Sequence, residues 1–177
     1  TAVGMGTETG KMTVRDFQWP ETYGLGIAVQ ATPSLMIAAD VKRINWSDVM
    51  DSFKMTYTTG GGLGMTGTAD FSLPQNWDDQ TVFQIGISYK VNDALTLRAG
   101  ANISDNPIPS TTVHYLFPAI EENHYTLGLG YAFSKASDIN FTMSYAPKVS
   151  QTNTGAAAGM IIEHSQLSWQ FMYSTRF

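Results

Sequence analysis

The residue types that could do chemistry in this chain are few and poorly placed for it. Gly62-Leu63-Gly64-Met65-Thr66-Gly67 has the spacing of a dinucleotide fingerprint. That motif works only where a strand precedes it and a helix follows, so that the helix N-terminus meets the pyrophosphate. Thr68 to Pro74 does not read as a helix, and the stretch reads as a glycine loop. His114, His124 and His164 are the only histidines, and no two stand at a metal-ligand spacing such as i, i+4. Glu121-Glu122 beside His124, and Asp78-Asp79 beside Gln80, could assemble an acid-base or metal site, since such catalysis needs groups within hydrogen-bond reach. The same residues also read as an ordinary polar rim. No enzyme activity, cofactor or metal is expected. Asp40, Lys42 and Arg98 share one face of the strands described next, where they either meet a ligand carboxylate or neutralise one another. Sequons at Asn45, Asn102 and Asn140 fall in or beside strands and read as chance matches.

The elements that position these side chains follow a period-two alternation, in which a strand turns successive residues to opposite faces. Tyr23, Leu25, Ile27 and Val29 alternate with Gly24, Gly26, Ala28 and Gln30, and Leu35, Ile37, Ala39 and Val41 with Met36, Ala38, Asp40 and Lys42. The pattern continues in Phe83 to Lys90, Leu95 to Ser104, His124 to Phe133, Ile139 to Tyr145 and Gln166 to Phe177. The apolar face of each stretch is free of charge. The other face carries Asp40, Lys42, Lys90, Arg98 and Arg176 among glycines, amides and hydroxyls. Aromatics fall toward both ends of the apolar bands: Trp46, Phe83, Tyr125, Tyr145 and Trp169 at one end, Tyr89, Phe133, Tyr173 and Phe177 at the other. Membrane barrels carry interfacial girdles of this kind.

Composition narrows the class. Only 14% of the 177 residues are charged while 12% are aromatic, against roughly 25% charged in an ordinary soluble domain, and this balance excludes a disordered chain. The length suits one domain. No apolar run approaches the roughly 18 residues of a membrane-spanning helix, which excludes a helical membrane protein. Ten scattered Lys and Arg under a net charge of -5 provide no basic stripe for nucleic acid. The absence of cysteine excludes a disulfide framework and a thiolate metal site. A soluble β protein and a transmembrane β-barrel remain. A soluble sandwich or barrel puts mostly charged residues on its polar face, whereas here that face is small and amide-rich, which suits a lumen.

Short connections alternate with long ones. Ala31 to Ser34, Asn92-Asp93 and Ser134 to Asp138 are rich in turn formers, and 47–79, 105–121 and 147–159 are long loops. Outer-membrane barrels show this asymmetry, with tight periplasmic turns and long external loops. Met50 to Tyr57 reads as an added strand or short helix within the first long loop. If the short turns are periplasmic, the stretches from Glu21 to Phe177 make seven strands, whereas single-chain bacterial barrels have even numbers. Either Lys11 to Phe17 supplies an eighth strand, turning at Gln18-Trp19-Pro20-Glu21, or the chain is part of a larger barrel. Weak alternation in the first nineteen residues favours the second.

Phe17-Gln18-Trp19-Pro20-Glu21-Thr22, the run from Ala38 to Met50, Asn76-Trp77-Asp78-Asp79-Gln80 and Leu95-Thr96-Leu97-Arg98-Ala99-Gly100 stand in a distinctive order. Asn106-Pro107-Ile108-Pro109, Leu116-Phe117-Pro118-Ala119-Ile120 and His124-Tyr125-Thr126-Leu127-Gly128 follow. Across nearly the whole chain this series resembles the C-terminal half of the FadL family of outer-membrane transporters for long-chain fatty acids and other hydrophobic compounds, including aromatic hydrocarbons. The resemblance implies an all-β fold, an antiparallel transmembrane β-barrel of fourteen strands. Seven or eight of those strands lie here, so that residues 1–177 form one barrel region. It also implies an N-terminal hatch, an external hydrophobic groove, an interior site and a lateral opening, of which the hatch and the early strands have no counterpart in these residues. The terminal Tyr173-Ser174-Thr175-Arg176-Phe177 looks like the last strand that the barrel-assembly machinery recognises.

The expected activity is passive uptake of hydrophobic small molecules across a bacterial outer membrane. The alternatives are a small structural or adhesive barrel whose loops bind a macromolecule and, third, a soluble lipid-binding barrel. Met50, Phe53 and Met55 in the first loop, and Leu116, Phe117 and Ile120 in the second, are the expected external ligand contacts, methionine being suited by its flexible side chain; packing between the loops is the other use of these residues. Expected partners are outer-membrane lipid and lipopolysaccharide, a hydrophobic ligand and the assembly machinery, with no nucleic acid and a monomeric complete barrel. Folding is expected to require detergent or lipid; a monodisperse folded protein in plain buffer would sink both membrane readings.

Overall fold

Backbone N–H and C=O groups of an extended segment have no partner within the segment, so alternating stretches acquire structure only by pairing with one another. A computed structural model of the chain describes residues 9–61 and 66–176. Residues 62–65 of the glycine motif and Phe177 lie outside the described residues. Among the described residues there are ten strands: β1 (Gly10–Arg15), β2 (Thr22–Thr32), β3 (Leu35–Ile44), β4 (Ser52–Thr59), β5 (Thr68–Pro74), β6 (Gln80–Lys90), β7 (Leu95–Ser104), β8 (His124–Ala132), β9 (Ser137–Thr152) and β10 (Ile161–Thr175). They form a seven-stranded antiparallel sheet in the order β10-β9-β8-β7-β6-β3-β2 and a separate three-stranded sheet, β1-β4-β5.

The seven alternating stretches are the seven strands of the large sheet. Residues 10–15 do form a strand, but β1 pairs with β4 and is not an eighth wall strand. β4 and β5 occupy much of the first long connection. Their sheet is amphipathic: Met55 pairs with Val14 and Phe71 on one face, while Arg15 and Thr56 meet Asp70 on the other.

Register makes the outward face of the wall continuous. One row runs Ile27-Ala39-Ile85-Ala101-Tyr125-Tyr145-Leu167, and the next runs Val29-Ile37-Ile87-Ala99-Leu127-Met143-Trp169. The outward side chains of the wall are open to the surroundings, Leu25, one row above, at 77% and Trp169 at 73% exposure. A patch of that extent belongs in hydrocarbon rather than water. The tight turns at the other end close on their own side chains. Thr32 Oγ1 accepts from the Leu35 amide, Asn92 Oδ1 from Ala94 and Leu95, and Ser134 Oγ from Ala136 and Ser137.

The third long connection starts later than expected at residue 147, because β9 continues to Thr152. Ala146 pairs with Gln166 and Val149 with His164, so Pro147 and Lys148 together oppose Ser165 in a β-bulge. A bulge tolerates proline because the ladder is already interrupted there. It also inverts the parity of β9. Val149 then turns inward to pack beside Ile162, and Lys148 turns outward to pair with Glu163 at 2.8 Å. Alternation breaks at this point although the strand does not.

Outward positions should tolerate charge far less than inward ones. Leu127→Arg is expected to cost about 2–4 kcal/mol in folding free energy measured in lipid vesicles, and Ser144→Arg on the inner face much less; equal costs would overturn the assignment of faces.

Candidate functional site

Above the wall, the long connections pack into a core of their own. Met50, Trp77, Ile108, Val113 and Ile120 are buried together, with Trp46, Val49, Phe117, Val149 and Ile162 against them. Full burial of such a side chain is worth about 1.5–3 kcal/mol, against about 1 kcal/mol for a typical hydrogen bond, so apolar packing chiefly holds the loops in place. The buried polar residues Gln75 and Asn153 are paired, whereas the buried Trp46 Nε1 and Asn123 Oδ1 have no hydrogen-bond partner among the described residues. Gln75 accepts from Trp77 Nε1 at 3.2 Å, and Asn153 donates to the Val113 carbonyl at 2.7 Å. Gln151 bridges Asn106 and the Ile108 carbonyl, tying β9 to the second loop.

This packing corrects part of the expected contact set. Met50 and Ile120 are only 2% and 1% exposed, inside the loop core and not on its outer surface. Met55 is buried on the apolar face of the small sheet. Phe53 and Phe117 are half-buried and stack edge-on at 4.7 Å, and Leu116 is exposed. Trp46, expected in the membrane girdle, stacks on Trp77 at 5.0 Å against the loop core instead. Trp169 sits one outward row below the Tyr125-Tyr145 row. Phe83, Tyr125 and Tyr145 face outward toward the long-loop end, and Tyr89, Phe133 and Tyr173 outward toward the turn end.

The rings form a connected path that alternation alone does not reveal. Trp77 meets Trp46, Trp46 meets Trp19 at 6.5 Å, Trp19 meets Phe17 at 5.5 Å, and Phe17 meets Phe53 at 6.0 Å, which leads to Phe117. Trp19 is 78% exposed at its outer bend. Its aromatic neighbours within the unalternating run from Phe17 to Pro20 were the only sequence signal.

A polar clamp fixes the loop base beside this path. Asp79 accepts from the Ser47 hydroxyl at 2.7 Å and the Ser47 amide at 3.0 Å, and pairs with Arg43 at 2.9 Å. These hydrogen bonds from Ser47, followed by the Arg43 charge, hold the Asp79 carboxyl below its ordinary pKa. Arg43 continues the outward face past Val41, at the upper end of β3, where Asp79 and Thr81 satisfy it.

On the inner face, register sorts the side chains into levels. A polar row, Gly26-Asp40-Gln84-Asn102-His124, lies above a small row, Ala28-Ala38-Gly86-Gly100-Thr126-Ser144-Ser168. Arg98 lies on the row below, opposite Ser88 and Gly128. The Asp40 carboxylate lies over Gly26, where a Cβ would collide with it, and Lys42 stands higher on β3. Arg98 is therefore about 13 Å along the strands and about 10 Å across them from Asp40, and of the two uses expected for these charges mutual pairing is not seen: no ion pair among the described residues joins Asp40, Lys42 and Arg98. Instead, Arg98 Nη1 donates to Asn140 Oδ1 at 3.2 Å. A hollow of about 290 Å³ lies beside Arg98 on this face, lined by Met36, Ala38, Gly86, Gly100 and Thr126. Among the described residues, no group of His, Asp and Glu side chains is arranged to hold a metal ion.

An antiparallel wall with an apolar outer face, an inner face of small and polar residues, tight turns below and packed loops above is that of an outer-membrane β-barrel transport protein. Residues 1–171 match the family model described as outer membrane protein transport protein (OMPP1/FadL/TodX), and the chain belongs to that family. The long-chain fatty acid transport protein of Escherichia coli (strain K12) is 25% identical over 145 residues, covering 82% of this chain and 30% of that protein. The crystal structure of the P. putida toluene transporter TodX superposes with a TM-score of 0.75 at 33% identity, covering 95% of this chain and 37% of TodX. The Ralstonia pickettii toluene transporter TbuX superposes with a TM-score of 0.71 at 30% identity, covering 95% and 36% of the two chains. The chain thus spans about a third of the length of the relatives it matches. These relatives are transporters rather than enzymes, as expected of this chain.

The lowered pKa of Asp79 makes the loop base acid-sensitive. Its stabilisation is fully present above the unfolded carboxyl value of about 3.9 and is lost as pH falls through the lower folded value. Protease resistance of the loops should drop across that window, and Asp79→Asn should remove this component of the drop; an unchanged acid profile in the variant would refute the clamp.

Proposed function

We propose that this chain supplies seven wall strands of a larger outer-membrane barrel, the C-terminal half of a fourteen-stranded one. Through that barrel, hydrophobic small molecules, long-chain fatty acids or aromatic hydrocarbons, enter passively down their gradient. The observation that carries this reading is the pairing of two surfaces in one molecule. The wall is apolar outside and small-residue-lined inside, and a connected aromatic path in the loops stands above it. The printed roles of the relatives, fatty acid and toluene transport, agree with it. β2 and β10 are the edges of the open sheet, ready to pair with further strands.

In this reading Phe53, Leu116 and Phe117 capture the ligand together with Phe17 and Trp19, because apolar burial gains about 0.8 kcal/mol per methylene and needs no directional bond. The outward rows contact outer-membrane lipid and lipopolysaccharide. β10, with Trp169, Phe171 and Tyr173 outward, is the strand offered to the barrel-assembly machinery, and the completed barrel is monomeric.

The test is uptake of labelled oleate and of toluene into cells expressing the natural full-length polypeptide. Phe117→Ala combined with Trp19→Ala is expected to slow uptake several-fold, by removing aromatic surface on which the ligand is captured, while surface expression is retained. Uptake equal to that of cells lacking the protein, for both ligands, would reject the channel and favour an adhesive barrel.

A further inference from the structure

Residues 105–123 join β7 to β8 without a strand or helix of their own, so the position of Phe117 depends on what holds this second long loop. Val113 and Ile120 anchor it by burial. Asn106 and Thr112 fasten its first half, by donating to Gln151 and to the Gln75 carbonyl. The stretch just after Phe117 is harder to hold. Pro118 has no N–H to donate, and its carbonyl accepts from the Ile120 amide at 2.9 Å, within the loop itself. From outside the loop it is reached by His164 on β10, whose Nδ1 stands 3.3 Å from the Pro118 carbonyl and 2.8 Å from Glu121 Oε1. Glu121 thus meets His164, distant in the chain, and among the described residues makes no ion pair with the nearby His124.

Strand pairing delivers the imidazole to this point. His164 pairs with Val149 across the ladder and lies two residues from Ile162, and both of those side chains pack against the loop core. Lys148 and Glu163 pair with each other at 2.8 Å on the opposite face. Both groups that face Nδ1 are acceptors, a carboxylate and a carbonyl, and only a protonated Nδ1 satisfies them. The tautomer with its proton on Nε2 would set a lone pair against two oxygens. The Glu121 side chain is 15% exposed against 36% for His164. A carboxylate this covered that lost its donor would recover solvation only by turning toward water, and the loop backbone would follow it.

We propose that His164 is a positioning residue for ligand capture: through Nδ1 it clasps Pro118 and Glu121 to the edge strand of the wall and so holds Phe117 in its edge-on stack with Phe53. The clasp acts one residue beyond Phe117. Phe53 and Phe117 come from different connections, so a shift of the second loop separates the rings. His164 acts through the loop and not by touching the ligand. The proposal rests on the channel reading above, in which these two rings take up the ligand, and adds to it a residue outside the aromatic path.

The experiment uses cells expressing the natural full-length polypeptide and has two readouts. One is uptake of labelled toluene against its concentration; the other is chymotrypsin cleavage of the second loop, where Tyr115 and Leu116 are exposed. His164→Ala should raise the concentration for half-maximal uptake by about threefold, the scale of a partly exposed ion pair, leave the maximal rate unchanged and speed cleavage. His164→Asn, whose amide can place an N–H where Nδ1 stands, should restore both readouts. Glu121→Ala should reproduce the loss, with no further loss when combined with His164→Ala, because both remove one shared interaction. Retained folding of each variant is read from its heat-modifiable mobility in gels. An unchanged half-maximal concentration in His164→Ala, or His164→Asn as impaired as His164→Ala, overturns the clasp and leaves the channel standing. Wild-type uptake no faster than that of cells lacking the protein overturns the channel reading and the capture role with it.

Discussion

In hydrocarbon no water is present to satisfy a backbone N–H or C=O, so every such group in the wall must find its partner on a neighbouring strand. That constraint organises the large sheet. It demands antiparallel strands joined by tight turns, and it leaves side chains as the only means of facing lipid on one side and a lumen on the other. Thr32, Asn92 and Ser134 each cap a turn with a side-chain oxygen, so the ladder closes at its lower ends without borrowed donors. The same constraint makes β2 and β10 reactive edges, since their outer backbone groups are unpaired within the sheet.

Where the wall leaves the membrane, apolar packing takes over. The bulge at Pro147 and Lys148 marks the transition: it inverts the faces of β9, so that the upper part of the strand serves the loop core and not the lipid. A strand that kept its parity would turn Val149 away from Ile162 and bring Lys148 over the core. The aromatic path from Trp77 to Phe117 runs through this region because rings from otherwise separate connections converge there. The same rings that pack the loops also leave Trp19 exposed at the outer bend of the path.

The inner face shows how little side chain a lumen needs. Glycine and alanine along one row keep it open, and glycine on β8 gives Arg98 room to reach Asn140. Register sets Arg98 on β7 two rows below Asp40 on β3, although alternation places both, with Lys42, on one face.

The sequence by itself determined the seven wall strands, which face of each meets lipid, and the family, because a half-buried strand writes its two environments into alternate residues. Phe83, Tyr125 and Tyr145 at one end and Tyr89 and Tyr173 at the other were legible for the same reason. Tertiary structure decided what alternation does not encode. Residues 10–15 alternate too weakly to show what they pair with, and only the structure joins them to β4, while Met50 and Ile120 look like ligand contacts yet are core, because partner choice and loop packing depend on residues distant in the chain. Rows and levels in the lumen depend on register, which no single strand specifies, and the placement of Arg98 over Gly128 and Gly130 exists only once β7, β8 and β9 lie side by side.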